Sequence, residues 1–127
     1  MTKRKILFVD DEPINLFLVK TFMADVIDIE TAESGEEAIK FIEENSDIVY
    51  MVVSDLRMPY MDGFELLTIL KEQHPKIRRL LLTAYYENEE IRQKVNDGTI
   101  EKVFSKTGDM NNLKQEFMQY LEESVSH

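Results

Sequence analysis

Cysteine is absent from the 127 residues, which removes a disulfide framework, a thiolate metal centre and a thiol nucleophile together. Long apolar runs are missing as well. The longest, Ile6–Val9 and Ile48–Val53, fall far short of the roughly 20 residues that cross a bilayer as a helix. Basic charge is scarce: 15 Lys and Arg stand against 25 Asp and Glu, a net charge of −10, so DNA backbones and anionic membranes are repelled. The N-terminal Met1-Thr2-Lys3-Arg4-Lys5 is basic, but the apolar stretch behind it is short and runs into two aspartates, unlike a secretory signal. No repeat, linker or low-complexity segment interrupts the chain. With 43% hydrophobic and 31% charged residues the composition is that of a globular protein, not a disordered one. These exclusions leave one acidic domain over residues 1–127, expected in the cytoplasm and without nucleic-acid or membrane partners.

What is present is an alternation of short apolar runs with stretches of helical period. Lys5–Val9 has no polar residue after its first, as suits a strand covered on both faces. Pro13 opens a helix whose apolar face is expected to be Ile14, Phe17, Leu18, Thr21 and Phe22. Val26–Ala32 alternates like a strand near an edge. Ser34 with Glu37 forms a capping box for a helix that buries Ala38, Phe41 and Ile42. Ile48–Val53 is the third strand; Gly63 precedes a helix bearing Phe64, Leu67 and Leu70, which Pro75 ends. Leu80–Leu82 is a fourth strand, Asn88–Asn96 a helix anchored by Ile91 and Val95, and Lys102–Ser105 a fifth strand. A last helix starts near Met110 and carries Leu113, Phe117, Tyr120 and Leu121. Five strands alternating with five helices predict an α/β fold, a doubly wound parallel sheet with right-handed crossovers.

Three aspartates fall at strand ends: Asp10 and Asp11 after the first strand, Asp55 after the third. Ligands of open parallel sheets sit outside the carboxyl ends of the strands, so adjacent first and third strands would bring these carboxylates into one crevice. Such a cluster stays ionised only beside a cation or shared protons. Hard oxygen ligands that leave room for water and a phosphoryl oxygen suit Mg²⁺ better than zinc or copper. Solvated turn aspartates are the bland alternative, and the pair plus a third favours the site. Thr83 ends the fourth strand and Lys106 the fifth. On the same rim, the ammonium could pair with carboxylate and phosphoryl oxygen, and the hydroxyl could donate to another oxygen.

In Val9-Asp10-Asp11-Glu12, Ser54-Asp55-Leu56-Arg57-Met58-Pro59-Tyr60-Met61-Asp62-Gly63, Leu82-Thr83-Ala84 and Phe104-Ser105-Lys106 the chain resembles the receiver domain of bacterial two-component response regulators. The resemblance covers nearly the whole chain, and the Asp55–Gly63 segment is its most specific piece. It implies a flavodoxin-like sheet of strand order 2-1-3-4-5, an order known for regulators of this kind that periodicity alone does not supply. It further implies that Asp55 is the phosphoacceptor. Asp11, Asp55 and the backbone carbonyl of Arg57 would bind Mg²⁺, with Asp10 assisting mostly through water. Thr83 would be the switch hydroxyl and Lys106 the essential cation. The implied partners are a histidine kinase or histidine phosphotransfer protein and a downstream target protein, the latter on the surface of helix four, strand five and helix five. The domain would be no separate enzyme, since it catalyses only its own phosphorylation and dephosphorylation.

The chain departs from the family at two positions. Thr107 replaces the proline that follows the lysine, so the Lys106–Thr107 peptide is expected trans. Val103 stands where the family carries a rotating aromatic; Phe104, one position late, should face the other side of its strand. Tyr85 or Tyr86 could replace that aromatic, and Arg57 with Tyr85 is expected to shield the acyl phosphate from water. A phosphorylation-independent interaction module is the alternative these departures favour. A flavin domain of this fold would need a Ser/Thr/Gly-rich loop where Asp10-Asp11-Glu12 stands, and a haloacid-dehalogenase-type phosphatase would need an aspartate in place of Arg57.

Overall fold

The computed structural model describes residues 5–84, 88–106 and 109–125. Tyr85, Tyr86 and Thr107, and with them the expectations about the moving aromatic and the Lys106–Thr107 peptide, lie outside the described residues. In chain order the elements are β1 (Lys5–Val9), α1 (Pro13–Met23), β2 (Ile29–Ala32), α2 (Gly35–Asn45), β3 (Val49–Ser54), α3 (Gly63–Gln73), β4 (Arg78–Thr83), α4 (Glu89–Asn96), β5 (Lys102–Ser105) and α5 (Met110–Val125). The strands form a parallel sheet in the order β2-β1-β3-β4-β5. No described helix is long and apolar enough to cross a membrane.

Alternation along each strand feeds two cores. Leu7, Val9, Val52 and Leu81 join Ala38, Ile42, Leu66, Leu67 and Leu70 of α2 and α3 on one face. Ile6, Phe8, Val53 and Leu82 join Leu16 and Val19 of α1 with Leu113 and Phe117 of α5 on the other. Each such aliphatic side chain contributes about 1.5–3 kcal/mol of burial. Phe104 turns to the second core, its ring 5.5 Å from Phe117 and 5.9 Å from Tyr120, while half-buried Val103 packs on the first. The two residues therefore lie on opposite faces of β5, as the alternation predicts.

Local signals set the helix ends. Pro13 takes the first helical position of α1, where its missing N–H costs nothing. The Ser34 hydroxyl accepts from the Glu37 amide, and the Glu37 carboxylate accepts from Glu33 N–H, one residue beyond a strict capping box. Asp62 caps α3 and Asn88 caps α4. Pro75 follows the end of α3, whose cap is His74.

Three expectations need correction. The buried face of α1 is Leu16, Val19 and Met23; Ile14 is 60% and Phe17 64% exposed. Both stripes have three-and-four spacing, but residues two apart lie about 200° apart around the axis. The helix can therefore bury only one stripe, and packing against Phe8 and α5 selects the second. The edge strand begins at Ile29, not Val26, because the amides of Val26 and Ile27 both donate to Met23 O in the turn that ends α1. Val95 is 39% exposed, which leaves Ile91 as the buried residue of α4.

Candidate functional site

The pairing of β1 with β3 builds the site. Val9 lies opposite Ser54, and the Asp55 amide donates to Val9 O at 2.8 Å. Asp10 and Asp55, the next residues on adjacent strands, are thereby set side by side. Carboxylate oxygens of Asp10, Asp11 and Asp55 lie within 4.8 Å of one another. At the neighbouring strand end the Lys106 amide donates to Thr83 O at 3.1 Å. This bond fixes the start of the Lys106 side chain, whose Nζ reaches back to 2.6 Å from Asp10 Oδ2 and 3.1 Å from Asp55 Oδ2.

Further bonds hold the two carboxylates. Asp10 Oδ1 accepts from Glu12 N–H at 3.0 Å, and Oδ2 accepts from the Asn15 amide at 3.2 Å. Asp55 Oδ1 accepts from Leu56 N–H at 2.8 Å. Burial pushes the Asp55 carboxyl above the usual carboxylate range; Lys106 pulls it down and Asp10 pushes it further up. Burial works against the Lys106 ammonium, but the Asp10 hydrogen bond and the charges of Asp10 and Asp55 outweigh it and raise Lys106. Each lysine–aspartate contact thus favours its charged partners, while desolvation works against the Asp55 anion.

The loop from Asp55 to α3 is clamped on the same rim. Gly63 N–H donates to Leu56 O at 2.8 Å. A Cβ at Gly63 would stand 2.4 Å from Asp55 O and 3.1 Å from Leu56 Cα, so the close approach excludes any side chain. Tyr60, at the loop's tip, is 97% exposed with φ 69°, a conformation that costs a bulky residue energy. Arg57 is exposed two residues past Asp55 and, with Asn88 and Glu90, lines an open polar depression beside the start of α4. Thr83 is buried at the end of β4, opposite Ser105.

The structure brings Asp10, Asp11, Asp55 and Lys106 together; Thr83 and Arg57 occupy the adjoining strand end and loop. Asn15 and Gly63 complete the site in ways that residue spacing did not reveal. Asn15 belongs to a helix whose polar positions carry no mark of their target. Gly63 stands in the Asp-Gly pair, yet only the fold shows which carbonyl it approaches. Three clustered carboxylates against one ammonium leave net negative charge with hard oxygen donors, which fits a divalent cation such as Mg²⁺.

The family model for the response regulator receiver domain matches residues 6–118. The response regulator VraR of Staphylococcus aureus is 36% identical over 98 residues, which cover 74% of this chain and 46% of VraR. The chain therefore spans about half the length of the curated relatives it matches. Among solved structures, the signal receiver domain of an HD domain-containing protein from Pseudomonas fluorescens Pf-5 is 27% identical with a TM-score of 0.83, covering 98% of this chain and 99% of that one. A CheY-like receiver domain protein from Methanospirillum hungatei JF-1 shares the fold with a TM-score of 0.83 at 23% identity over 98% of both chains.

Proposed function

The chain belongs to the response regulator receiver domain family of two-component systems, and on that premise we propose that Asp55 accepts a phosphoryl group from a phosphohistidine. The donor is a histidine kinase or a histidine phosphotransfer protein, and the reaction takes place in the cytoplasm. Residues 1–127 act as one receiver unit. The observation that carries the reading is the single Lys106 ammonium held against both Asp10 and Asp55 in a cluster of three carboxylates.

The chemistry follows from charge and position. An Asp55 Oδ atom forms a bond to phosphorus as the P–N bond to the donor imidazole breaks, and the departing nitrogen keeps the electron pair. Phosphoryl transfer passes through a loose transition state, so the protein supplies alignment and neutralisation more than covalent assistance. Asp11, Asp55 and the Arg57 carbonyl, with Asp10 assisting mostly through water, would hold Mg²⁺, which would neutralise charge on the phosphoryl oxygens. Leu56 N–H and Gly63 fix the Asp55 carboxylate and its loop. Lys106 pairs with a phosphoryl oxygen once Asp55 is phosphorylated, and the Thr83 hydroxyl donates to another. The acyl phosphate carries a charge nearer −2 than −1, which draws Thr83 and Lys106 inward. This local movement biases the surface of α4, β5 and α5 toward a downstream target protein. Hydrolysis of the acyl phosphate by water resets Asp55, and exposed Arg57, two residues along the loop, slows it. The domain thus acts on itself and turns over no separate substrate.

Intact mass measured after incubation with acetyl phosphate tests the reading. One phosphoryl increment is expected, dependent on Mg²⁺ and absent in Asp55→Asn. An unmodified wild-type chain under all conditions would favour a phosphorylation-independent interaction module instead.

A further inference from the structure

Behind the carboxylates lies a cavity of about 220 Å³ between α1 and α5. Its floor is Phe8, Val53 and Leu82 of the sheet; its walls are Leu16 and Val19 of α1 and Leu113 of α5. These six residues are all less than a tenth exposed. Half-exposed Asn15, Leu18 and Met110 stand at the rim. A cavity of about 150 Å³ with such a lining is enough to take benzene. This one has room for a ring with a short chain.

One end of the cavity is not apolar. Asp10, Asp55 and Lys106 close it, and two carboxylates facing one ammonium leave a unit of negative charge. A carboxylate has about four lone-pair sites. Asp10 accepts from Glu12 N–H, Asn15 and Lys106, and Asp55 from Leu56 N–H and Lys106. Both retain acceptor capacity, and both line the chamber. A ring-sized chamber, apolar over most of its lining and ending in accepting, net-negative groups, selects one ligand class: an aromatic body, a short linker and a protonated amine.

We propose that this cavity binds a small arylalkylamine, ring between α1 and α5 and ammonium against Asp10 and Asp55. Because the ammonium would engage two of the carboxylates assigned above as cation ligands, amine and Mg²⁺ compete. By linkage each weakens the other by the same factor. The competition rests on the phosphoacceptor reading of the site; the binding does not, since it needs neither metal nor phosphate. Such a ligand would hold the domain in its unphosphorylated state.

NMR titration of the full chain with 2-phenylethylamine, 2-phenylethanol and phenylacetate tests this. Saturable shifts are expected at the amides of Leu16, Val19 and Leu113. The amine should bind at least tenfold tighter than the alcohol, with the acid weakest. Leu113→Phe, which fills the chamber, should weaken amine binding at least tenfold; Met118→Phe, on the exposed flank of α5, should not. Added Mg²⁺ should raise the apparent Kd for the amine in wild type. No saturable shift with the amine, shifts elsewhere, or equal affinity for the three ligands would overturn the site, whatever the variants do. Amine binding indifferent to Mg²⁺ would overturn the competition alone, and failure to phosphorylate with acetyl phosphate would leave the binding result standing.

Discussion

Lys106 Nζ lies 2.6 Å from Asp10 and 3.1 Å from Asp55, so one ammonium serves two carboxylates that the β1–β3 pairing has already set side by side. The lysine side chain is about a fifth exposed and that of Asp10 only 6%, so solvent screens the pair only in part. Lys106→Ala leaves two near-buried anions without their shared cation. It is expected to lower unfolding free energy by roughly 1–3 kcal/mol, less than for a fully buried pair. In an Asp10→Asn background the loss should shrink by about half or more, because one anion is gone. Urea unfolding of the four variants of this cycle measures the coupling, and purely additive losses would show that the pairing contributes nothing.

Asp55 predicts a pH dependence of opposite sign to most structural aspartates. Its carboxyl takes up a proton more readily in the folded chain than in the unfolded one. The stabilisation tied to that proton is complete below the unfolded value of 3.8 and is lost as pH rises through the elevated folded value. Asp55→Asn should therefore raise stability at neutral pH, by on the order of 1 kcal/mol, with the gain vanishing toward pH 3. Mg²⁺ should stabilise wild type and not the variant. Thermal unfolding across pH, with and without Mg²⁺, reads both effects.

Gly63 links helix packing to the phosphoacceptor loop. Gly63→Ala would put a methyl 2.4 Å from Asp55 O, a backbone atom that cannot step aside without moving the Asp55 loop. A cost of about 1–3 kcal/mol is expected, as for overpacking elsewhere, together with slower phosphorylation from acetyl phosphate. Full stability with full reactivity would show that the loop tolerates the shift.

The surface that responds to phosphorylation should centre on α4. Ile91 is its buried residue, and Val95 is more than a third exposed, so local opening costs little there. Hydrogen exchange on adding beryllium fluoride and Mg²⁺ should change most between Thr83 and Phe104. A uniform change over the domain would refute that localisation.

Much of the fold and site was legible in the sequence, and the reason is local chemistry. Pro13, Ser34 with Glu37 and Pro75 mark helix ends because their effects act within one turn. Asp10, Asp11, Asp55 and Lys106 could be placed on one rim because each follows an apolar run, and parallel strands end on the same edge. Where two solutions fit the same local rule, the tertiary structure decided. Ile14 and Leu16 both belong to regular stripes of α1, and only packing against Phe8 and α5 selects Leu16. Val26 alternates with its neighbours, yet its amide ends a helix. The Asn15–Asp10 bond, the Gly63 approach to Asp55 and the cavity between α1 and α5 depend on distances between elements, which no periodicity carries.

The central claim is that Asp55 carries the phosphoryl group. Borohydride reduces an aspartyl phosphate to homoserine and leaves free carboxylates alone. After incubation with acetyl phosphate and Mg²⁺, reduction and peptide mass mapping should find homoserine at position 55, with Asp10 and Asp11 intact. Homoserine at another aspartate, or at none while the intact mass shows a phosphoryl increment, would contradict the account.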